Sequence, residues 1–157
     1  MRKSRFGIPL FEHLLAAVVF GVVVWVVSYY IDRLLEEAEA TVVRATVMNI
    51  RSGLRNEQAL RILRGAAPVQ SGGNPVRFLQ IAPAGYLPEG PPAGVPAAPG
   101  SWFYSESTQT LHYVPKRRAY LRLQSQNDTE SLAWRLSERS AASKEVDIQT
   151  VTPFEWF

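Results

Sequence analysis

The sequence predicts an α+β fold in which one long N-terminal helix packs on a small antiparallel β-sheet. Three observations lead there. An apolar run from Ile8 to Ile31 passes, without a helix breaker, into a stretch whose apolar residues recur at three- and four-residue steps. Seven of the eleven prolines then fall between Pro75 and Pro99, which reads as a connector. Beyond them, short segments alternate apolar with polar residues at a spacing of about 8 to 12, the signature of an antiparallel meander with one covered face.

Composition bounds what such a chain can do. Its 157 residues make one modest domain at most once an apolar helix is subtracted. No cysteine is present, so no disulfide or thiolate metal site is available. Of the 17 basic residues, Arg2, Lys3 and Arg5 stand within the first five positions; removing residues 1–7 would leave 14 basic against 14 acidic side chains. That balance carries no footprint for a polyphosphate, and nucleic acid is not an expected partner.

The helix begins with the apolar run. Between Ile8 and Ile31 only Glu12 and His13 ionise as ordinary acid or base. At ~1.5 Å per residue the run measures about 36 Å, enough to cross a hydrocarbon core of roughly 30 Å. Its many valines do not count against helix, because hydrocarbon offers backbone groups no partner outside their own segment. Cations precede the run, while Asp32, Glu36, Glu37 and Glu39 follow it with only Arg33 among them. A cytoplasmic N-terminus and an external C-terminal part are therefore expected. A cleaved secretory signal competes, with Ala38-Glu39-Ala40 as its small-x-small site. That site lies behind a run longer than the ~7 to 15 residues of a usual signal core, and past four acids. His13 reads as a border residue reaching back to the interface.

Glu12 needs its own explanation, since an acid near the middle of a membrane helix costs roughly 2.5 to 3.5 kcal/mol, less toward the edge. The dipole of the first helical turns returns about 0.3 to 1 kcal/mol. A free ammonium one turn away, at Ile8 after a cut behind Gly7 or on a neighbouring molecule, would match the charge better.

The stretch "RKSRFG|IPLFEHLL" resembles the class III signal of type IV pilins and type II secretion pseudopilins: a short basic leader ending in glycine, an apolar first residue, and glutamate fifth after the glycine. The resemblance implies that a prepilin peptidase cuts after Gly7 and methylates Ile8, and that Glu12 aligns incoming subunits. Where the family usually has phenylalanine then threonine, this chain has Ile8 and Pro9. Proline suits a first helical turn, whose amides are unpaired anyway. The implied partners are other pilin or pseudopilin subunits, the peptidase, an inner-membrane assembly platform and membrane lipid. The implied location is a bacterial inner membrane, single-pass, then a filament. The rival reading is an uncleaved, signal-anchored periplasmic binding or scaffold protein.

The ranges that follow are a leader at 1–7, a transmembrane helix at 8–31 and its periplasmic continuation at 32–64. In the continuation, Ile31, Leu35, Ala38, Val42 and Ala45 or Thr46, then Val43, Val47, Ile50 and Leu54, form one drifting stripe. Glu36, Glu37, Glu39, Arg44, Arg51 and Arg55 lie mainly off it and are expected on a solvated face. The stripe keeps no strict heptad, so packing on the chain's own sheet is preferred over a coiled coil. Gly53 and Asn56 weaken the helix, and Gly65 is its expected stop.

A Pro/Gly-rich loop is placed at 65–100. In it, "NPVRFLQ" offers a short helix with Asn74 as cap and Pro75 at its first position. The sheet region, 101–157, opens with "WFYSESTQTLHYV", two aromatic runs about a polar turn, pairing Trp102 and Tyr104 with Leu111 and Tyr113. This hairpin is similar to one in pseudopilin-like chains of the mannose-sensitive haemagglutinin pilus type. Further strands are expected at Leu121 and Leu123, at Leu132, Trp134 and Leu136, and at Val146 and Ile148.

No nucleophile motif, phosphate-binding loop, dinucleotide fingerprint or metal-spaced histidine pair occurs, so neither enzyme activity nor a cofactor is expected. Asp147 and Glu155 are too sparse for calcium. Lys116, Arg117 and Arg118 read as a solvated turn, "TPFEWF" as an exposed apolar tail that could dock a partner, and Trp102, Tyr104 and Trp134 as sheet core. Asn127-Asp128-Thr129 spells a glycosylation sequon.

Overall fold

A computed structural model describes residues 7–92, 94–124, 131–140 and 143–157, with side chains at all of these except 7–10, 140, 143 and 144. The sequon at Asn127 lies outside the described residues. The fold is α+β, with one long helix and a mixed sheet.

Helix α1 runs unbroken over Gly7–Leu63, 57 residues, or about 85 Å. It is long and apolar enough to cross a membrane. Its end follows from Gly65, at φ +61. The Gly65 amide donates to the Ile62 carbonyl and the Ala66 amide to the Arg61 carbonyl, the paired bonds of a glycine-terminated helix. Gly53 does not interrupt the helix. It lets another segment come close: a Cβ there would stand 2.0 Å from the Phe78 carbonyl oxygen. That oxygen belongs to a 3-10 turn, Pro75–Phe78, capped by the Asn74 side chain accepting from the Val76 amide, as the sequence predicts.

Strands β1 (Tyr86–Leu87), β2 (Trp102–Ser105), β3 (Thr110–Tyr113), β5 (Leu132–Ser140) and β6 (Ser143–Thr150) form the main sheet in the order β1-β2-β3-β5-β6. The hairpin register is the expected one, with Trp102 opposite Tyr113 and Tyr104 opposite Leu111. Two expectations are corrected. The sheet is not purely antiparallel, because β1, inside the proline-rich segment, pairs parallel with β2. Strand β4 (Leu121–Leu123) does not continue the meander; it pairs antiparallel with β7 (Phe154–Trp156) in a separate ribbon. Two-residue β1 and three-residue β7 are too short to show an alternating pattern, which hides them in sequence.

The core lies between one side of α1 and one face of the sheet. Ala40, Val43, Ile50 and Leu54 of the helix meet Trp102, Leu111, Tyr113, Leu132, Trp134, Leu136, Val146, Ile148 and Trp156. Trp102 stands 4.6 Å from Tyr113 and 5.5 Å from Trp134 between ring centroids, separations at which aromatic pairs attract beyond simple burial. Trp102 and Trp134 are thus core, as expected, while Tyr104 is half-buried.

Candidate functional site

The predicted assembly residues lie at the uncovered end of α1. Gly7 opens the helix and Ile8 lies in its first turn. Glu12 is exposed and has no hydrogen bond or ion pair among the described residues. The rise of the helix puts it about 36 Å from Glu36, the first buried position of α1. All the described side chains from Phe11 to Leu35 are exposed, and most are large and apolar. Among the described residues nothing is brought to Glu12.

Farther along, the acids do not behave as a solvated face. Glu36 is only 2% exposed. Its Oε1 accepts from the Tyr120 backbone amide at 2.8 Å and from the Trp156 indole at 3.0 Å. Burying a carboxylate costs several kcal/mol unless donors replace its water, and these two N–H groups do so. One turn on, Glu39 is half-buried, and its Oε1 accepts from the Tyr113 hydroxyl at 2.8 Å and the Lys116 amide at 2.6 Å. Burial, and then this carboxylate, hold the Tyr113 hydroxyl well above its ordinary range. Glu37, between them in sequence, is exposed as expected.

Two of the basic residues also reach the sheets, Arg51 half-buried and Arg44 while remaining exposed as expected. Arg44, Arg51 and Gln58 are spaced by seven residues, close to two turns, and so lie on one line of the helix. Each donates to a backbone carbonyl of the sheets: Arg44 to Trp156, Arg51 to Ile148 at 3.1 Å, and Gln58 to Val146 at 2.7 Å. Arg51 also pairs with Asp147 at 3.1 Å. The outer edge of β6 would otherwise be a template for another strand, and the helix covers it with its own donors. Arg55, like Arg44, is exposed as expected.

The apolar stripe divides. Val43, Ile50 and Leu54 are buried and Val47 is packed on the core, whereas Ile31, Leu35, Ala38, Val42 and Ala45 remain exposed. The expected tail "TPFEWF" is also not free: Phe154 packs on the core and Trp156 is buried. The signal that could have found this contact is the tryptophan itself, whose indole needs an acceptor when buried. A carboxylate on the covered side of the helix supplies one.

His112 is the other functional-looking group. It lies flat against Phe103, with ring centroids 5.0 Å apart, and bridges Thr110 Oγ1 at 2.6 Å and Ser131 Oγ at 3.0 Å. Burial lowers its pKa. No carboxylate joins this chain of hydroxyls among the described contacts, and it ties β3 to the start of β5. Among the described residues no group of three or more metal-ligating side chains occurs. An open groove of about 940 Å³ runs beside Asn49, Asn56, Glu57, Arg61 and Arg77.

Comparisons of the chain with protein-family models, with curated proteins and with solved structures find no match.

Proposed function

We propose that the chain is a structural subunit, a pseudopilin or minor pilin, that assembles through its N-terminal helix into a type IV pilus or type II secretion pseudopilus. One observation carries this reading. About half of α1, from Phe11 to Leu35, keeps every described side chain exposed and holds Glu12, without a partner among the described residues, near one end. Hydrocarbon explains the apolar surface while the subunit waits in an inner membrane, N-terminus cytoplasmic and sheet outside. A bundle of sister helices explains both the surface and the charge. Glu12 of one subunit meets the Ile8 ammonium of the next, and a buried charge with that partner is far cheaper than one without.

The stripe left exposed beyond the span supports the same reading. Leu35, Ala38, Val42 and Ala45 continue the bare surface on the side of α1 turned away from the core. Two apolar surfaces on one rod, one facing the sheet and one facing outward, suit a helix that packs in a bundle along its length.

Mass spectrometry of the N-terminus tests the proposal. Loss of Met1 to Gly7 with a methylated Ile8 is the expected result, and an intact leader in cells that contain the peptidase rejects it. The second reading, an uncleaved signal-anchored binding or scaffold protein, draws on the open polar groove beside Asn49 and Arg77, a surface wide enough for a ligand. It predicts that intact leader.

A further inference from the structure

A cleft of about 340 Å³ opens where α1 leaves its apolar segment, between the helix and the loop joining β3 to β4. Tyr29, Asp32 and Arg33 line it from the helix, and Arg117, Arg118 and Tyr120 from the loop. The loop is fixed at this level. The Tyr29 and Tyr120 hydroxyls are 3.0 Å apart, the Arg33 guanidinium lies 5.8 Å from the centre of the Tyr120 ring, and Glu36 holds the Tyr120 amide. Phe157, half exposed, stacks on the other part of that ring at 5.2 Å.

We infer that this cleft binds the headgroup phosphate of a phospholipid in the leaflet at the outer end of the helix. The inference rests on the reading that α1 crosses a membrane; given that, Tyr29 sits at the depth where tyrosines concentrate, in the headgroup layer. Three arginines, Arg33, Arg117 and Arg118, line the cleft, although cations are normally depleted on the side opposite a basic N-terminus. Their planar donors match phosphate oxygens. Two carboxylates oppose an anion there, Glu36, which keeps its charge while accepting from the Tyr120 amide and the Trp156 indole, and Asp32; the three arginines outnumber them. The half-exposed Phe157 ring beside Tyr120 provides apolar surface for the glycerol and upper acyl region.

The test uses the full chain in neutral detergent, with native mass spectrometry counting lipid retained from equimolar phosphatidylglycerol and diacylglycerol of the same acyl chains. The background is Arg2→Gln/Lys3→Gln/Arg5→Gln, so that the basic start of the chain cannot hold the lipid. One phosphatidylglycerol and no diacylglycerol should remain bound. Arg117→Gln/Arg118→Gln should lower retention roughly tenfold at an unchanged melting temperature, and Asp32→Asn should raise it. Equal retention of the two lipids, no effect of the paired arginine change, or loss of all lipid in the background alone would overturn the inference. Displacement by inorganic phosphate would assign the site to a free anion and overturn the lipid. Vesicle flotation separates the underlying reading: a chain that does not float with vesicles refutes the membrane span and this site with it, whereas one that floats but shows no lipid preference refutes the site alone.

Discussion

The two halves of α1 share one backbone and almost nothing else. From Phe11 to Leu35 every described side chain faces outward. From Glu36 onward nearly every turn presents something to the sheet: Glu36 and Glu39, then Ala40 and Val43, then Val47, Ile50, Arg51, Leu54 and Gln58. The first half is rich in valine, whose stiff branched side chain makes it an indifferent helix former in water. On the proposed reading, hydrocarbon or neighbouring helices keep it helical. The second half depends on its own domain. A helix can therefore be one continuous object geometrically while its stability comes from two separate sources, and changes in one half should leave the other untouched.

The largest expected effect tests that independence directly. Glu12→Ala or Glu12→Lys should abolish or greatly reduce incorporation into filaments, read by fractionating sheared fibres, while the melting temperature of the folded domain stays where it was. Normal incorporation would reject the assembly role of Glu12, and a shifted melting temperature would break the separation of the halves. Next, Trp156→Ala should cost about 3 to 5 kcal/mol of domain stability in denaturant unfolding. Glu36→Ala should cost roughly 2 to 4 kcal/mol, because it strands two N–H donors, and neither change should affect membrane insertion.

Gly53→Ala sharpens the comparison further. In a bare helix it would stabilise by about 1 kcal/mol; here the added methyl would collide with the Phe78 carbonyl, so a net loss of roughly 1 to 3 kcal/mol is expected. Val42→Asp, on the outward stripe at 63% exposure, should change stability by no more than about 0.5 kcal/mol yet reduce incorporation. The smallest effect concerns pH. His112 has a folded pKa below its ordinary value of 6.5 because burial disfavours its charged form. Its contribution is therefore complete above pH 6.5 and is lost as pH falls below it, since the unfolded chain takes up the proton first. Unfolding curves of the native chain and His112→Gln should diverge in slope only in that acidic range.

Much of this was legible in the sequence, for reasons that can be named. The apolar run, the stop at Gly65, the Asn74 cap and the hairpin pairing of Trp102 with Tyr113 are local patterns, set by residues close in the chain. Apart from the strands too short to show a pattern, the misreadings are long-range. Glu36 and Trp156 are 120 residues apart, and nothing near either one announces the other. Arg44, Arg51 and Gln58 look like an ordinary polar flank until the carbonyls of β6 and β7 are brought alongside. A charge pattern alone cannot tell solvent from an uncapped strand edge, since both satisfy a guanidinium. At the N-terminal end of α1 the position reverses: Gly7, Ile8 and Glu12 stand out in sequence, and the structure adds only that Glu12 is exposed.

The seven-residue ladder of Arg44, Arg51 and Gln58 also has a mechanical meaning. Its rungs, with Glu36 and Glu39 ahead of them, run from Glu36 to Gln58 of α1, about 33 Å along the axis. A pull on the N-terminal end loads all these bonds together, in shear, instead of peeling them one after another. The close approach at Gly53 opposes slip in the same direction. Traction applied to that end thus reaches the domain as a shared load, which is what the proposed extraction of a subunit from a bilayer would demand.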